Sequence, residues 1–306
     1  MEALKEKCKL ALVQATPVMF DKTASTEKVV SLIEEAATKG AELIVFPELF
    51  IPGYPYGMTF GFKVGSRNEA GRKDWLMYSN NSIVVPGAET KLLGEAAKRA
   101  HAYVSVGISE RDSVTGTLYN SNIIFSPEGE LAAVHRKLKP TGAERVVWGD
   151  ANRDYFPIVE TPWGPLGCLI CWEGYMPLAR AALYQKGVTI LIEANTNDNE
   201  EWQSTIRHIA LEGRCYFVNA DMYFKKTDYP TGLQCPEEIA ALPDTVCRGG
   251  SCVVDPYGHA GETVWDKESI IYAELDMSKV TASRMEFDPC GHYARPDVLE
   301  LKVLDK

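Results

Sequence analysis

Three residues of reactive type sit at points of the chain where elements change over. In GPLGCLICWEGYMPLARAAL, Gly164 to Leu183, the apolar run Leu166 to Ile170 reads as a buried strand, and Pro177 stands where a helix can open. Cys171 falls at that crossing. There, backbone N–H groups and the positive end of a helix dipole favour the thiolate, the nucleophilic form of cysteine. A buried core cysteine accounts for the residue equally well. In AELIVFPELFIPGYPYG, Ala41 to Gly57, Pro47 stops the strand Leu43 to Phe46, so Glu48 lies just past a strand's carboxyl end. Among Phe46, Leu49, Phe50 and Tyr54 its carboxyl is partly desolvated, which raises its pKa toward a useful base. Taken alone, a surface-loop glutamate is the commoner case. In HRKLKPTGAERVVWGD, His135 to Asp150, a short connection gathers Lys137, Lys139, Glu144, Arg145 and Trp148. An ammonium from it would lower a nearby thiol pKa and stabilise negative charge on an attacked substrate, although most basic runs are only solvated.

The elements that position these residues read as alternating strands and helices. Strands are expected at Lys9–Gln14, Leu43–Phe46, Tyr103–Ser109, Ser121–Phe125, Leu131–Val134, Phe156–Glu160, Leu166–Ile170, Val188–Glu193, Cys215–Asn219, Gly250–Val254 and Ile270–Glu274. Helices are expected from a Ser25 cap to Gly40, and at Ala88–Ala100, Leu178–Gln185, Asn199–Glu212 and Ser278–Arg284. This mixture implies two sheets sandwiched by helices. Lys225 to Arg248 carries four Pro or Gly positions and few helical cues, so it reads either as a lid or partner-contacting loop or as a plain surface excursion.

The three blocks, in this order, resemble the nitrilase superfamily of carbon-nitrogen hydrolases, and the likeness runs from KLALVQATPV at Lys9 to GHYARPDVL at Gly291. FPELFIPGYPYG, the Lys137 block ending WGDANRD, and CWEGYMPLAR are most similar to its true nitrilase branch. The resemblance implies an α/β fold, an αββα sandwich. It implies Glu48 as general base, Lys137 as electrostatic stabiliser, Cys171 as nucleophile and Glu144 as a second glutamate supporting geometry. It also makes Tyr54 and Trp172 candidate pocket walls; as bulky aromatics, both could equally be core. The implied reaction is hydrolysis of a small-molecule nitrile to acid and ammonia through a thioimidate and a thioester, without cofactor or metal. Rival readings are an amidase, an N-carbamoyl hydrolase or a cyanide-degrading enzyme using the same residues, and a filament-forming interaction protein that has lost turnover. The branch commonly forms dimers or spirals, so a homo-oligomer is expected. It usually carries Asn or His after CWE; Gly174 stands there instead, which is expected to leave more room.

Composition agrees with this picture. The 306 residues, 45% hydrophobic, suffice for a sizeable core, and without a linker or low-complexity tract they read as one domain, 1–306. A net charge of −10 argues against nucleic-acid binding. The charged start MEALKEKCK has no apolar signal region, no run is of membrane length, and eight scattered cysteines form no dense framework. A reduced, cytoplasmic protein is expected. The pair Cys168 and Cys171 spells C-x-x-C, but residues three apart on a strand face opposite ways, which argues against a redox pair. Cys247, Cys252 and His259 fit no closed metal pattern, and His208 reads as a structural histidine.

Overall fold

The computed structural model describes residues 5–304. In chain order the elements are β1 Lys7–Gln14, α1 Lys22–Thr38, β2 Leu43–Val45, α2 Glu69–Asn80, α3 Ala88–Ala100, β3 Tyr103–Arg111, β4 Leu118–Phe125 and β5 Leu131–Arg136. There follow β6 Ile158–Thr161, β7 Gly164–Ile170, α4 Pro177–Gln185, β8 Ile190–Asn195, α5 Glu200–Gly213, β9 Tyr216–Asp221 and β10 Tyr223–Lys225. The chain closes with α6 Glu237–Ala240, β11 Thr245–Val254, β12 Val264–Trp265, β13 Ser269–Asp276 and α7 Ser278–Glu286.

Two sheets form, ordered β13-β1-β2-β3-β4-β5 and β10-β11-β9-β8-β7-β6, with β12 paired to β11. Each has a parallel centre, β1-β2-β3 and β7-β8-β9, and antiparallel flanks. Alternation along the central strands explains the layering. In β1, Leu10 and Leu12 enter the core between the sheets while Ala11 and Val13 enter the core under α1 and α3. In β8, Ile190 and Ile192 face the inter-sheet core while Leu191 packs beneath α4 and α5. A strand covered on both faces needs apolar residues at every position, which is why these segments read as continuous apolar runs. The result is the expected αββα sandwich.

The strand and helix expectations agree with the structure apart from end residues, with four departures. The first helix is capped by Asp21, whose carboxylate accepts from Ala24 N at 2.9 Å. Ser25 is buried inside it, its hydroxyl donating to Val18 O. Helix α2 is an element the periodicity does not announce, because most of its side chains are polar. Short strands β10 and β12, the short helix α6 and the first five residues of β11 also form where no element is expected. Finally, Lys225–Arg248 is no plain excursion: Tyr229, Leu233 and Cys247 are buried in the core, and the Glu238 carboxylate accepts from Thr59 N, Phe60 N, Gly61 N and the Thr59 hydroxyl. Among the described residues, no helix is long and apolar enough to cross a membrane.

Candidate active site

Both central sheets deliver reactive residues to the same end of the sandwich. Glu48 follows β2, and the loop bearing it lies directly on β3. A Cβ on Gly107 would stand 2.2 Å from Pro47 O and 2.7 Å from Glu48 Cα, so only glycine permits this approach. The loop is then pinned by Ile51 N to Gly107 O and by Ser109 N to Ile51 O. Lys137 follows β5, its N–H donating to Asn120 O on β4. Glu144 lies in a 3-10 turn, Gly142–Val146, where Thr141 N donates to its Oε2 at 2.8 Å. Cys171 opens a second 3-10 turn, Cys171–Tyr175, directly after β7. Leu49 and Cys171 both hold left-handed backbone, at φ 48° and 52°. Bulky residues adopt this conformation only where surrounding structure enforces it, and such positions cluster at active sites.

The Lys137 ammonium is buried between two carboxylates, 2.9 Å from Glu48 Oε1 and 2.9 Å from Glu144 Oε2. Asn120 Nδ2 also donates to Glu48 Oε1, at 2.7 Å. That oxygen is therefore shared by two donors, whereas Oε2 has no hydrogen-bond partner among the described residues. Tyr54 donates its hydroxyl to Glu144 Oε1 at 2.6 Å and helps line a cavity of about 220 Å³ with Met58, Val147 and Trp148. Trp148 is fixed from behind by Nε1 donating to Ser109 Oγ. Lys139 is exposed and pairs with Asp150, so of the two lysines in the run only Lys137 enters the site.

Electrostatics at the thiol run opposite to the sequence expectation. Burial pushes the Cys171 thiol well above its ordinary value, and the charges of Glu48 and Glu144 add to this; Lys137 opposes them without prevailing. The helix dipole contributes little there because α4 begins only at Pro177, beyond the intervening turn. Burial likewise raises the Glu48 carboxyl, against the pull of Lys137. For Lys137 burial acts downward, but Glu48, Cys171 and Glu144 together outweigh it and hold the ammonium protonated. Such an arrangement keeps a neutral thiol beside a carboxyl tuned upward and a fixed cation, the parts needed to move a proton and stabilise charge.

Trp172, the neighbour of Cys171, is half exposed and edge-on to Tyr175 with ring centroids 5.6 Å apart; neither it nor Cys171 is among the residues lining the cavity beside Tyr54. Gly174 opens no room: an added Cβ would stand 2.5 Å from Glu193 Oε1 and 2.6 Å from the Trp202 ring, which already occupy the space. Cys168 packs in the inter-sheet core, and neither it nor Cys171 is in a disulfide. His208 is exposed and pairs with Glu212 one helical turn away. Asn120 and Glu193 are the neighbours that sequence reasoning missed. The signal for Asn120 was a polar run, Asn120-Ser121-Asn122, inside a strand whose eight residues are all buried.

This geometry has relatives. The chain matches the carbon-nitrogen hydrolase family over residues 9–285. It is 45% identical over 300 residues to an aliphatic nitrilase of Sinorhizobium fredii, covering 97% of this chain and 96% of that one. It is 42% identical to nitrilase 2 of Arabidopsis thaliana, covering 95% and 87% respectively. A bifunctional nitrilase/nitrile hydratase of Lupinus angustifolius is 39% identical, with 96% and 85% covered. In fold it is similar to a Saccharomyces cerevisiae member of branch 10 of the nitrilase superfamily, at a TM-score of 0.74 and 24% identity, with 95% and 98% covered. The chain belongs to the carbon-nitrogen hydrolase family.

Proposed function

We propose that this enzyme hydrolyses an organic nitrile to the carboxylic acid and ammonia, the whole chain acting as one catalytic unit. The observation that carries the reading is the buried Lys137 ammonium held between Glu48 and Glu144 beside the Cys171 thiol. The nitrile itself is supported by the activity named for relatives up to 45% identical.

A nitrile carbon is a weak electrophile, so it calls for sulfur rather than water as first attacker. The Cys171 thiol is neutral at rest, and its proton passes to the unpartnered Oε2 of Glu48 as sulfur bonds to carbon. Glu48 returns that proton to the nitrile nitrogen, giving a thioimidate. Water then adds to the thioimidate carbon, with Glu48 taking one water proton and passing it to nitrogen; the proton of the resulting hydroxyl follows by the same relay, so that nitrogen leaves as ammonia while the C–O bond becomes the thioester carbonyl. A second water, activated in the same way, releases the acid and restores the thiol. Lys137 stabilises charge developing on the former nitrile nitrogen and on the tetrahedral oxygen, a contribution of roughly 2.7–4 kcal/mol for a well-placed donor. Glu144, fixed by Tyr54, Thr141 and Lys137, orients the ammonium. If the tetrahedral intermediate breaks its C–S bond instead, the amide leaves; the bifunctional relative supports such a by-product.

Tyr54 is the aromatic wall that the geometry supports. Trp172 shares an exposed apolar stretch with Tyr175, Met176 and Leu178, the last 69% exposed. A stretch of this kind suits self-association. Homo-oligomerisation through it is tested by the mass of the Leu178→Glu protein in solution, which should fall to that of the monomer.

The deciding experiment measures ammonia release from matched nitriles and amides, with Cys171→Ala protein alongside. Cys171-dependent release from nitriles is expected; release from amides alone would move the enzyme to the amidases.

A further inference from the structure

Glu173 links the two sheets at the site. It lies two residues after Cys171, and its side chain is buried. Its Oε2 accepts from Ile170 N at 2.7 Å, the residue immediately before Cys171. Its Oε1 accepts from Leu138 N at 2.6 Å, the residue immediately after Lys137. The same carboxylate lies 2.8 Å from His135 Nε2, on the strand leading into Lys137, and the His135 ring is held by stacking on Phe156. Cys171 follows a strand of one sheet and Lys137 a strand of the other. Glu173 thus bonds to the backbone beside each of them. Three donors converge on two oxygens, an arrangement that makes a buried carboxylate tolerable and geometrically exacting.

We propose that Glu173 is a positioning residue that sets the separation between the Cys171 thiol and the Lys137 ammonium. The proposal rests on reading those two groups as nucleophile and stabilising cation. A glutamine at this position keeps the size but offers one accepting oxygen; its NH2 then faces either Leu138 N–H or the Ile170 and His135 donors. One side of the bracket must open, and Lys137 moves relative to Cys171. Misplacement of reacting groups by about 1 Å costs on the order of 100-fold in rate.

The test compares wild type with Glu173→Gln and Glu173→Asp by nitrile turnover. It adds the pH dependence of Cys171 alkylation by iodoacetamide, read by mass spectrometry of the Cys171 peptide. The expected result is kcat lower by about 100-fold with KM little changed. The alkylation midpoint should also shift to higher pH, because the thiol loses the lowering influence of Lys137. A folded variant with wild-type kcat and an unshifted midpoint overturns the proposal, as does lost turnover with an unshifted midpoint. Failure of both variants to fold also overturns it, making Glu173 a folding determinant instead. Alkylation needs no nitrile, so an enzyme inactive on every nitrile would defeat the proposed function while leaving this arm to decide the role of Glu173.

Discussion

Asn120 and Glu48 are joined side chain to side chain: Nδ2 of Asn120 donates at 2.7 Å to Oε1 of Glu48, the oxygen that Lys137 also holds. One carboxylate oxygen is thereby committed to structure, and the other, without a partner among the described residues, is the one the proposed mechanism uses to accept a proton. A base that shares its oxygens in this way has its orientation fixed before substrate arrives.

Replacing Asn120 by Ala should therefore disorient the base without removing it. A hydrogen bond to a charged group contributes about 1.5–3 kcal/mol, so kcat/KM should fall by about 10- to 100-fold in protein that still folds. Asn120→Asp should be worse, because it puts a second carboxylate against Glu48. Steady-state turnover on the preferred nitrile decides; wild-type rates in Asn120→Ala would remove the residue from the site.

Lys137→Ala should abolish turnover and also destabilise the fold, since it leaves two buried carboxylates without their cation. Breaking a buried pair from one side costs about 3–5 kcal/mol. Cys171→Ala should lose turnover alone. Thermal unfolding of the two variants separates the effects: a large loss of stability is expected for the first and little for the second.

Gly174→Asn, which installs the residue the resemblance leads one to expect, should harm rather than help. Its Cβ would meet the Glu193 carboxylate and the Trp202 ring inside 3 Å. Overpacking of this kind costs about 1–3 kcal/mol. The same substitution joined to Glu193→Ala should recover only the share due to the carboxylate, because the Trp202 ring still stands 2.6 Å from the added Cβ; denaturant titration of the single and double variants measures that share.

Glu193 also gives a pH signature. Burial raises its carboxyl well above the ordinary value. A raised carboxyl pKa contributes stability that is complete at acid pH and lost as pH climbs from the ordinary carboxylate range through the raised value. Glu193→Gln removes that titration, and Gly174 N can still donate to its side-chain oxygen. The stability of the variant relative to wild type should thus improve between about pH 5 and about pH 8. A constant difference across that range would show that Glu193 does not titrate there.

Central strands were legible in the sequence because burial on both faces forces apolar runs, as in Leu43–Val45 and Leu166–Ile170. Helix α2 was not, since EAGRKDWLMYSN presents little apolar face; its only announcement is Asn68, whose side chain caps Gly71 N. At the site, Glu48, Lys137, Glu144 and Cys171 stood out by block and order. What no single segment could reveal were relations between segments. Glu193 fills the space beside Gly174, and Asn120 reaches Glu48 from 72 residues away. The elevated thiol depends on how deeply the fold buries Cys171, which residue type and spacing do not encode.

The clamp of Glu238 on Thr59, Phe60 and Gly61 has a practical corollary. The cavity wall running from Tyr54 to Thr59 is not a self-sufficient loop, because a residue 179 positions downstream supplies hydrogen bonds to its far end. Grafting that loop from another enzyme would transplant half a device. The loop should keep its shape only when residues 54–61 and the stretch around Glu238 travel as a matched pair.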